Sequence, residues 1–325
     1  MLVRPELQAL RSNDAPQRRA QDAVGQVIEA WRSGAQGRQA NHELRKFGEG
    51  TLLEDLPLLS SLFLGQESGA NEFVAGLLKP LIASMAAEPL TQSPLRYSCN
   101  GALTTLVIAR HDTSTLTLQA VNGALLGTLP EPKTVSFSPG ETYEHVLAGS
   151  ADVLRVRVAE QFPDKAVLAS EVVTLHPGFV QHRAGRSEAQ LLRRVSGCLV
   201  TLKLGRIVSP HEVAREYSLA DGKLLRQAAG TPRESRLELV TALLGRMGRT
   251  DAAPLLAAMT EEQGNPSLRW QSLRECLGLD TARGFAALSS IARRADDPLA
   301  APAGALRAQL LEAHPQLAGA DQCPA

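Results

Sequence analysis

Two stretches decide the fold: Val135-Ser-Phe137-Ser-Pro139-Gly140-Glu141-Thr-Tyr-Glu144-His145-Val-Leu-Ala-Gly149 and Val173-Thr-Leu175-His176-Pro177-Gly178-Phe-Val-Gln181-His182-Arg183. Each is a short apolar strand that runs into a Pro-Gly corner and then a histidine. Each is followed by residues of alternating character, Leu154-Arg-Val156-Arg-Val158 and Leu199-Val-Thr-Leu202-Lys-Leu204. Alternation with a period of two is the signature of a half-buried strand, and Pro-Gly marks a turn. Strand, corner, polar cluster and strand, used twice, is how a small antiparallel barrel or sandwich builds a mouth. Gly140 and Gly178 are expected to close equivalent corners at one end, so that His145 and His182 face one cavity.

Upstream, Leu103-Thr-Thr-Leu106-Val-Ile108 and Leu116-Thr-Leu118-Gln-Ala120 add two strands, with turn signals at Asn122-Gly123 and Pro130-Glu-Pro132. Before Tyr97 and after Pro210 the period is helical. Ala15 to Ser33 places Ala20, Val24, Val27, Ile28 and Trp31 at helical spacing, with Asp14 set to cap it. Gly34-Ala-Gln-Gly37 reads as a loop, and Pro80 should kink or split a helix over residues 71–87. Glu234 to Arg249 puts Leu237, Val240, Leu244 and Met247 on one stripe. Further helices carry Leu268, Leu273, Cys276 and Leu277, then Phe285, Leu288 and Ile291, then Leu306, Leu310 and Leu311. The expected class is α+β. An N-terminal helical segment (1–96) precedes an antiparallel barrel or sandwich (97–208), an antiparallel helical region (209–318) and a frayed tail (319–325), with strands confined to the middle.

Composition bounds the function. Lys plus Arg and Asp plus Glu number 34 each, which argues against a dedicated nucleic-acid or anionic-membrane surface. No run approaches the ~20 apolar residues of a spanning helix, and Met1 to Ser12 lacks a signal-peptide core, so a cytoplasmic location is expected. The cysteines at 99, 198, 276 and 323 form no CxxC pair. Cys198 and Cys276 read as small core residues rather than disulfide or zinc partners.

Converging His145 and His182, completed by Glu141 or Glu144, would make a nitrogen-oxygen site suited to one divalent ion, Fe(II), Mn(II) or Zn(II). The competing reading leaves both histidines in loops or bonded to a backbone carbonyl. Arg183, with Arg186, Arg193 and Arg194 near it, and Arg155 and Arg157 on the first return strand would take an anionic ligand through their guanidinium forks. His111, in Arg110-His111-Asp112, sits on the same expected rim, either as an oriented base or as part of a turn. The chain has no Gly-x-Ser-x-Gly elbow and no phosphate-binding Gly-x-x-x-x-Gly-Lys loop.

The Pro-Gly corners and their histidines resemble the cupin superfamily over about residues 97–206. That resemblance implies a small β-barrel whose metal ligands follow the corners, but the family's His-x-His is absent here. Asp251-Ala-Ala-Pro254 followed by Asn265-Pro-Ser-Leu268-Arg269 resembles one HEAT-type helical repeat. Three functions are open to such a chain. It is a non-catalytic module that binds or senses a small molecule, with the C-terminal helices available to a protein partner. Alternatively it is a metal-dependent oxygenase or isomerase using His145 and His182, or a purely structural interaction protein. The first ranks highest because the metal motif is incomplete.

Overall fold

The structure, a computed structural model, describes residues 13–65, 67–88, 90–209 and 212–322. It divides into two compact units. One comprises the residues up to Val208 together with Glu216–Leu225, and the other Ser209–Arg215 with the residues from Arg226 onward.

The first unit opens with helices α1 (Ala15–Ser33), α2 (Ala35–Gly48), α3 (Pro57–Phe63) and α4 (Glu67–Ala87). Gly34 alone separates α1 from α2: the backbone is extended there, and Gly37 is already helical. The expected loop over 34–37 therefore shrinks to one residue. Pro80 lies inside α4, which runs on past it. Asp14 makes no side-chain cap; it pairs instead with Arg18 one turn on, at 2.7 Å. Helix α3 is capped from a distance. The buried Glu43 carboxylate of α2 accepts from Leu58 N at 3.2 Å and from Leu59 N at 2.9 Å, satisfying donors that a helix start leaves open.

Strands β1 (Tyr97–Asn100), β2 (Leu103–His111), β3 (Ser114–Asn122), β5 (Gly140–Gln161), β6 (Ala166–Leu175), β7 (Val180–Ala184) and β8 (Glu188–Ile207) form one antiparallel sheet. A one-turn helix α5 (Gly123–Leu126) leads towards β4 (Thr134–Phe137), which joins β9 (Val213–Ser218) and β10 (Leu224–Ala229) in a second sheet. Strands thus extend beyond 206, where a return to helix was expected. The short polar β9–β10 segments carry too little apolar pattern to reveal a strand. Among the described residues no closed barrel forms: the large sheet ends on β1 and β6.

It folds on itself instead, because β5 and β8 are long enough to belong to two halves. Over 141–145, β5 lies between β7 and β8; over 151–157, it lies between β6 and β8. The change occurs at Gly149, whose φ is 81° and whose Cα approaches so close to Cys198 that a Cβ would sit 2.1 Å from that carbonyl oxygen. Only glycine fits there. Cys198 is consequently exposed beside Gly197 rather than in the core.

This gives four layers with three cores between them. The outer face of the first half, carrying Leu116, Leu202 and Leu204, packs under Leu44, Phe47, Leu59, Leu62 and Phe73 of the helices. Each such side chain contributes ~1.5–3 kcal/mol of burial. The outer face of the second half, with Val156 and Ala189, packs on Val135, Phe137 and Tyr217 of the small sheet. Between the halves lie Val121, Val146, Val153, Leu175 and Leu199.

The second unit holds α6 (Pro232–Arg246), α7 (Ala253–Glu261), α8 (Pro266–Leu279), α9 (Thr281–Ala292), α10 (Ala300–Ala313) and a 3-10 helix, Pro315–Gln322, which reaches into the expected frayed tail. Leu273, Phe285, Leu288 and Ile291 form its core. Arg269 ties it together. Its Nε donates to Thr260 O at 2.9 Å, and its Nη1 and Nη2 donate to the two Asp297 oxygens at 3.1 and 2.5 Å. On α6 and at its C-terminal cap, Val240 and Met247 are exposed, with Leu239 and Leu243 beside them; the expected stripe is rotated. Cys323 lies outside the described residues.

Candidate functional site

Alternation along β5 sends Glu141, Tyr143 and His145 to the helix-covered face, and Thr142, Glu144 and Val146 to the interior between the two halves. The register carries the rest. Glu144 is flanked by Lys203 of β8 and Gln181 of β7, and Thr142 by Arg183 of β7. Across the interior, Arg155 lies between Gln190 of β8 and Glu171 of β6. One end of the interior is therefore apolar and the other polar.

The polar end is one continuous network. The Glu144 side chain is 2% exposed; Lys203 Nζ is 3.0 Å from its Oε1, Gln181 Nε2 2.8 Å from its Oε2, and Arg183 Nη2 3.4 Å from the same oxygen. Burial pushes the Glu144 carboxyl upward, but Lys203 and Arg183, with the hydrogen bonds from Lys203 and Gln181, outweigh it and hold the group below its usual range. Gln181 also donates to Gln190 Oε1 at 2.7 Å and accepts from Arg155 Nη2 at 3.0 Å, so it links the two halves. Arg155 Nη1 reaches Glu171 at 3.3 Å, and Arg157 Nε reaches Glu188 at 3.0 Å nearer the rim. Two donors in this network are buried without a hydrogen-bond partner: Arg155 Nε and Arg183 Nε. The cations keep a path to water, with Lys203 at 23%, Arg155 at 17% and Arg183 at 15% side-chain exposure.

The opposite face is a clasp. Arg206 pairs with Glu141, donates to Phe47 O at 2.8 Å and stacks on the Phe47 ring at 4.4 Å. His182 lies 4.4 Å, centroid to centroid, from Tyr143, with its Nε2 3.1 Å from Glu141. Burial, then the Glu141 charge, raises the Tyr143 phenol, with Arg206 opposing. His145 is buried, and its Nδ1 donates to Leu62 O at 2.7 Å, closing the end of α3.

The expected metal set is therefore not assembled. Adjacent strand residues point to opposite faces, so Glu144 is in the interior while Glu141, His145 and His182 are under or beside the helices. Gly140 and Gly178 lie at opposite ends of the β5–β7 ladder, because Glu141 pairs with Ala184 and His145 with Val180. The segment 141–149, read as a polar mouth, is part of a strand paired on both sides. Among the described residues no group of three or more His, Cys, Asp or Glu side chains is placed to hold a metal ion, and the four named do not fit one. His111 ends β2 at a two-residue turn, with Asp112 at φ 36° and the His111–Asp112 pair 3.7 Å apart; among the described residues no hydrogen bond or ion pair joins it to Arg155, Arg157 or Arg183. Arg155, Arg157 and Arg183 do come together. Gln181, Gln190 and Lys203 belong with them and went unrecognised. The signal for Lys203 was present in Leu202-Lys203-Leu204, but an alternating strand does not announce that its polar side is also covered.

No family model matches the chain, and no curated protein matches it. Solved structures resemble parts of it. A 7S globulin of Momordica charantia is 16% identical over 39% of this chain and 36% of its own, with a TM-score of 0.26. HutD from Pseudomonas fluorescens is 18% identical over 35% and 57%, TM-score 0.26, and an oxalate decarboxylase of Lactobacillus farciminis is 10% identical over 36% and 32%, TM-score 0.26. All three are cupin-fold proteins. The chain spans about a third of the globulin's length. No helix among the described residues is long and apolar enough to cross a membrane.

Proposed function

We propose that this chain is a non-catalytic binding protein, its cupin-like sheet holding the carboxylate of a small organic anion at the polar end of the interior. The observation that carries the reading is the pair of buried, unpartnered guanidinium donors, Arg155 Nε and Arg183 Nε. A buried donor with no acceptor costs about 1–3 kcal/mol, and a planar carboxylate supplies two acceptors to such forks. The single deeply buried carboxylate here, Glu144, is already taken by Lys203 and Gln181. The helical unit, HEAT-like in its sequence, serves on this reading as a surface for a protein partner, to which its exposed Leu239, Val240, Leu243 and Met247 are suited.

Calorimetric titration of the full chain with succinate, its neutral diamide and inorganic phosphate tests the reading. Saturable succinate binding, absent with the diamide and weakened at least tenfold in Arg183→Gln, is expected. A loss of ~1.4 kcal/mol is the minimum for that ratio. Phosphate matching succinate would reassign the ligand to a phosphoryl group. No heat from either anion, or equal binding in Arg183→Gln, would overturn the proposal.

A further inference from the structure

The second unit contains a cavity of about 700 Å³, within the size range of small-molecule sites. Its wall is built by two helix faces. Trp270, Arg274, Leu277 and Thr281 recur at spacings of three and four along and just beyond α8, and Leu306, Leu310 and His314 do the same along α10. The C-terminal 3-10 helix closes the remaining side with Leu317. Trp270, Leu277, Leu306, Leu310 and Leu317 are all half-buried, so the lining has an apolar floor that is not packed shut.

Charge on the rim is one-sided. Arg274 is exposed and, among the described residues, has no hydrogen bond or ion pair. His314 stands on the same rim, and none of the described lining residues is acidic. The contrast is with another groove of this unit, where Glu261, Glu262, Asp296 and Asp297 lie among the arginines. A guanidinium without a partner over an apolar floor complements a molecule with a hydrocarbon or aromatic body and one anionic end. We infer that this cavity is a binding site for an amphipathic carboxylate, separate from the sheet interior: the body lies against Trp270, Leu306 and Leu310, and the carboxylate meets Arg274.

The chain has two tryptophans, Trp31 and Trp270, so Trp31→Phe leaves Trp270 as the sole reporter. Decanoate and decan-1-ol, equal in body and different in charge, are titrated into the full chain. The expected result is a saturable change in Trp270 emission with decanoate, at least tenfold tighter than with the alcohol. Arg274→Gln should bring the two within about twofold, and Arg274→Lys should fall between; a tenfold ratio corresponds to ~1.4 kcal/mol. Calorimetry on the wild-type chain must give the same decanoate affinity, which guards against a fault introduced by Trp31→Phe. Arg183→Gln, in the sheet interior, should leave the decanoate curve unmoved. No saturable change up to about 1 mM, equal affinity for acid and alcohol, or an unaltered ratio in Arg274→Gln would each overturn the inference. Loss of decanoate binding in Arg183→Gln would also overturn it, placing the ligand in the first unit.

Discussion

Replacing Glu144 by Gln should weaken the fold and strengthen the site at once. The carboxylate sits 3.0 Å from Lys203 Nζ and 3.4 Å from Arg183 Nη2. At an effective dielectric of about 20, each pair is worth roughly 5 kcal/mol of Coulomb attraction. Against that stands a desolvation cost of several kcal/mol for the buried carboxylate, and Lys203 and Arg183 recover some hydration at their partly exposed ends. The net loss in Glu144→Gln is therefore about 2–4 kcal/mol at pH 7. With a urea slope of ~1–3 kcal/mol/M, the midpoint of the first unit should fall by about 1–2 M, read from Trp31 in a Trp270→Phe background. The sign with pH is fixed by the depressed Glu144 carboxyl. Its stabilisation is fully present above the unfolded value near 4.3 and is lost as pH drops through the folded value, so the two proteins should converge in acid. Freed of their carboxylate, Lys203 and Arg183 should bind succinate about tenfold more tightly than in wild type. A variant as stable as wild type at pH 7, a gap that persists undiminished to pH 2, or weaker succinate binding would refute the reasoning.

Two further outcomes follow from the geometry. Asp297→Ala strands the Arg269 guanidinium, whose pair is 8% exposed on both sides, and should cost about 3–5 kcal/mol, seen as an early loss of Trp270 signal in urea; a midpoint within ~0.2 M of wild type would contradict it. Gly149→Ala forces a Cβ to within 2.1 Å of Cys198 O at φ 81° and should cost at least ~3 kcal/mol, while Gly278→Ala, with no atom within 4 Å of its Cβ, should be neutral or stabilising; equal thermal midpoints for the two would remove Gly149 as the hinge.

Helical segments were legible because their signals are local. Ala15–Ser33 appears as expected from Pro16 and the spacing of Ala20, Val24 and Ile28, and Asn265 and Asp280 cap the helices they precede. Strand boundaries were less so. The run 141–149 contains glutamates, a histidine and a glycine, and its strand character comes from β7 and β8 on either side, whose paired residues are 35 or more positions away in sequence. The stripe on α6 failed for a related reason: Leu, Leu and Val occur all round that helix, so spacing alone does not choose the buried side. In the site, the three arginines were legible as a charge cluster. Their partners Gln181 and Gln190 were not, because a glutamine on a strand has no distinguishing pattern until register places two of them 2.7 Å apart.

On the proposed reading, the placement of the histidines away from the sheet interior explains why that interior takes an anion rather than a metal ion. A metal site inside the folded sheet needs neutral or anionic donors on the interior face. At 144, 181 and 190 that face offers one carboxylate and two amides, and positions 155, 183 and 203 are cationic. Repulsion from three cations opposes a divalent ion there, while the same charges favour an anion. His145, one residue along, has been recruited to the helical layer, where its bond to Leu62 O holds α3 on the sheet. Moving it to the interior would require a one-residue slip of β5, which would bury Glu144 against Leu62 and turn Val146 towards the helices. The ladders to β7 and β8, and the Gly149 bend that fixes their register, oppose that slip. Fold and candidate site are thus set by the same strand, and on the proposed reading the preference for an anion follows from which of two neighbouring residues faces inward.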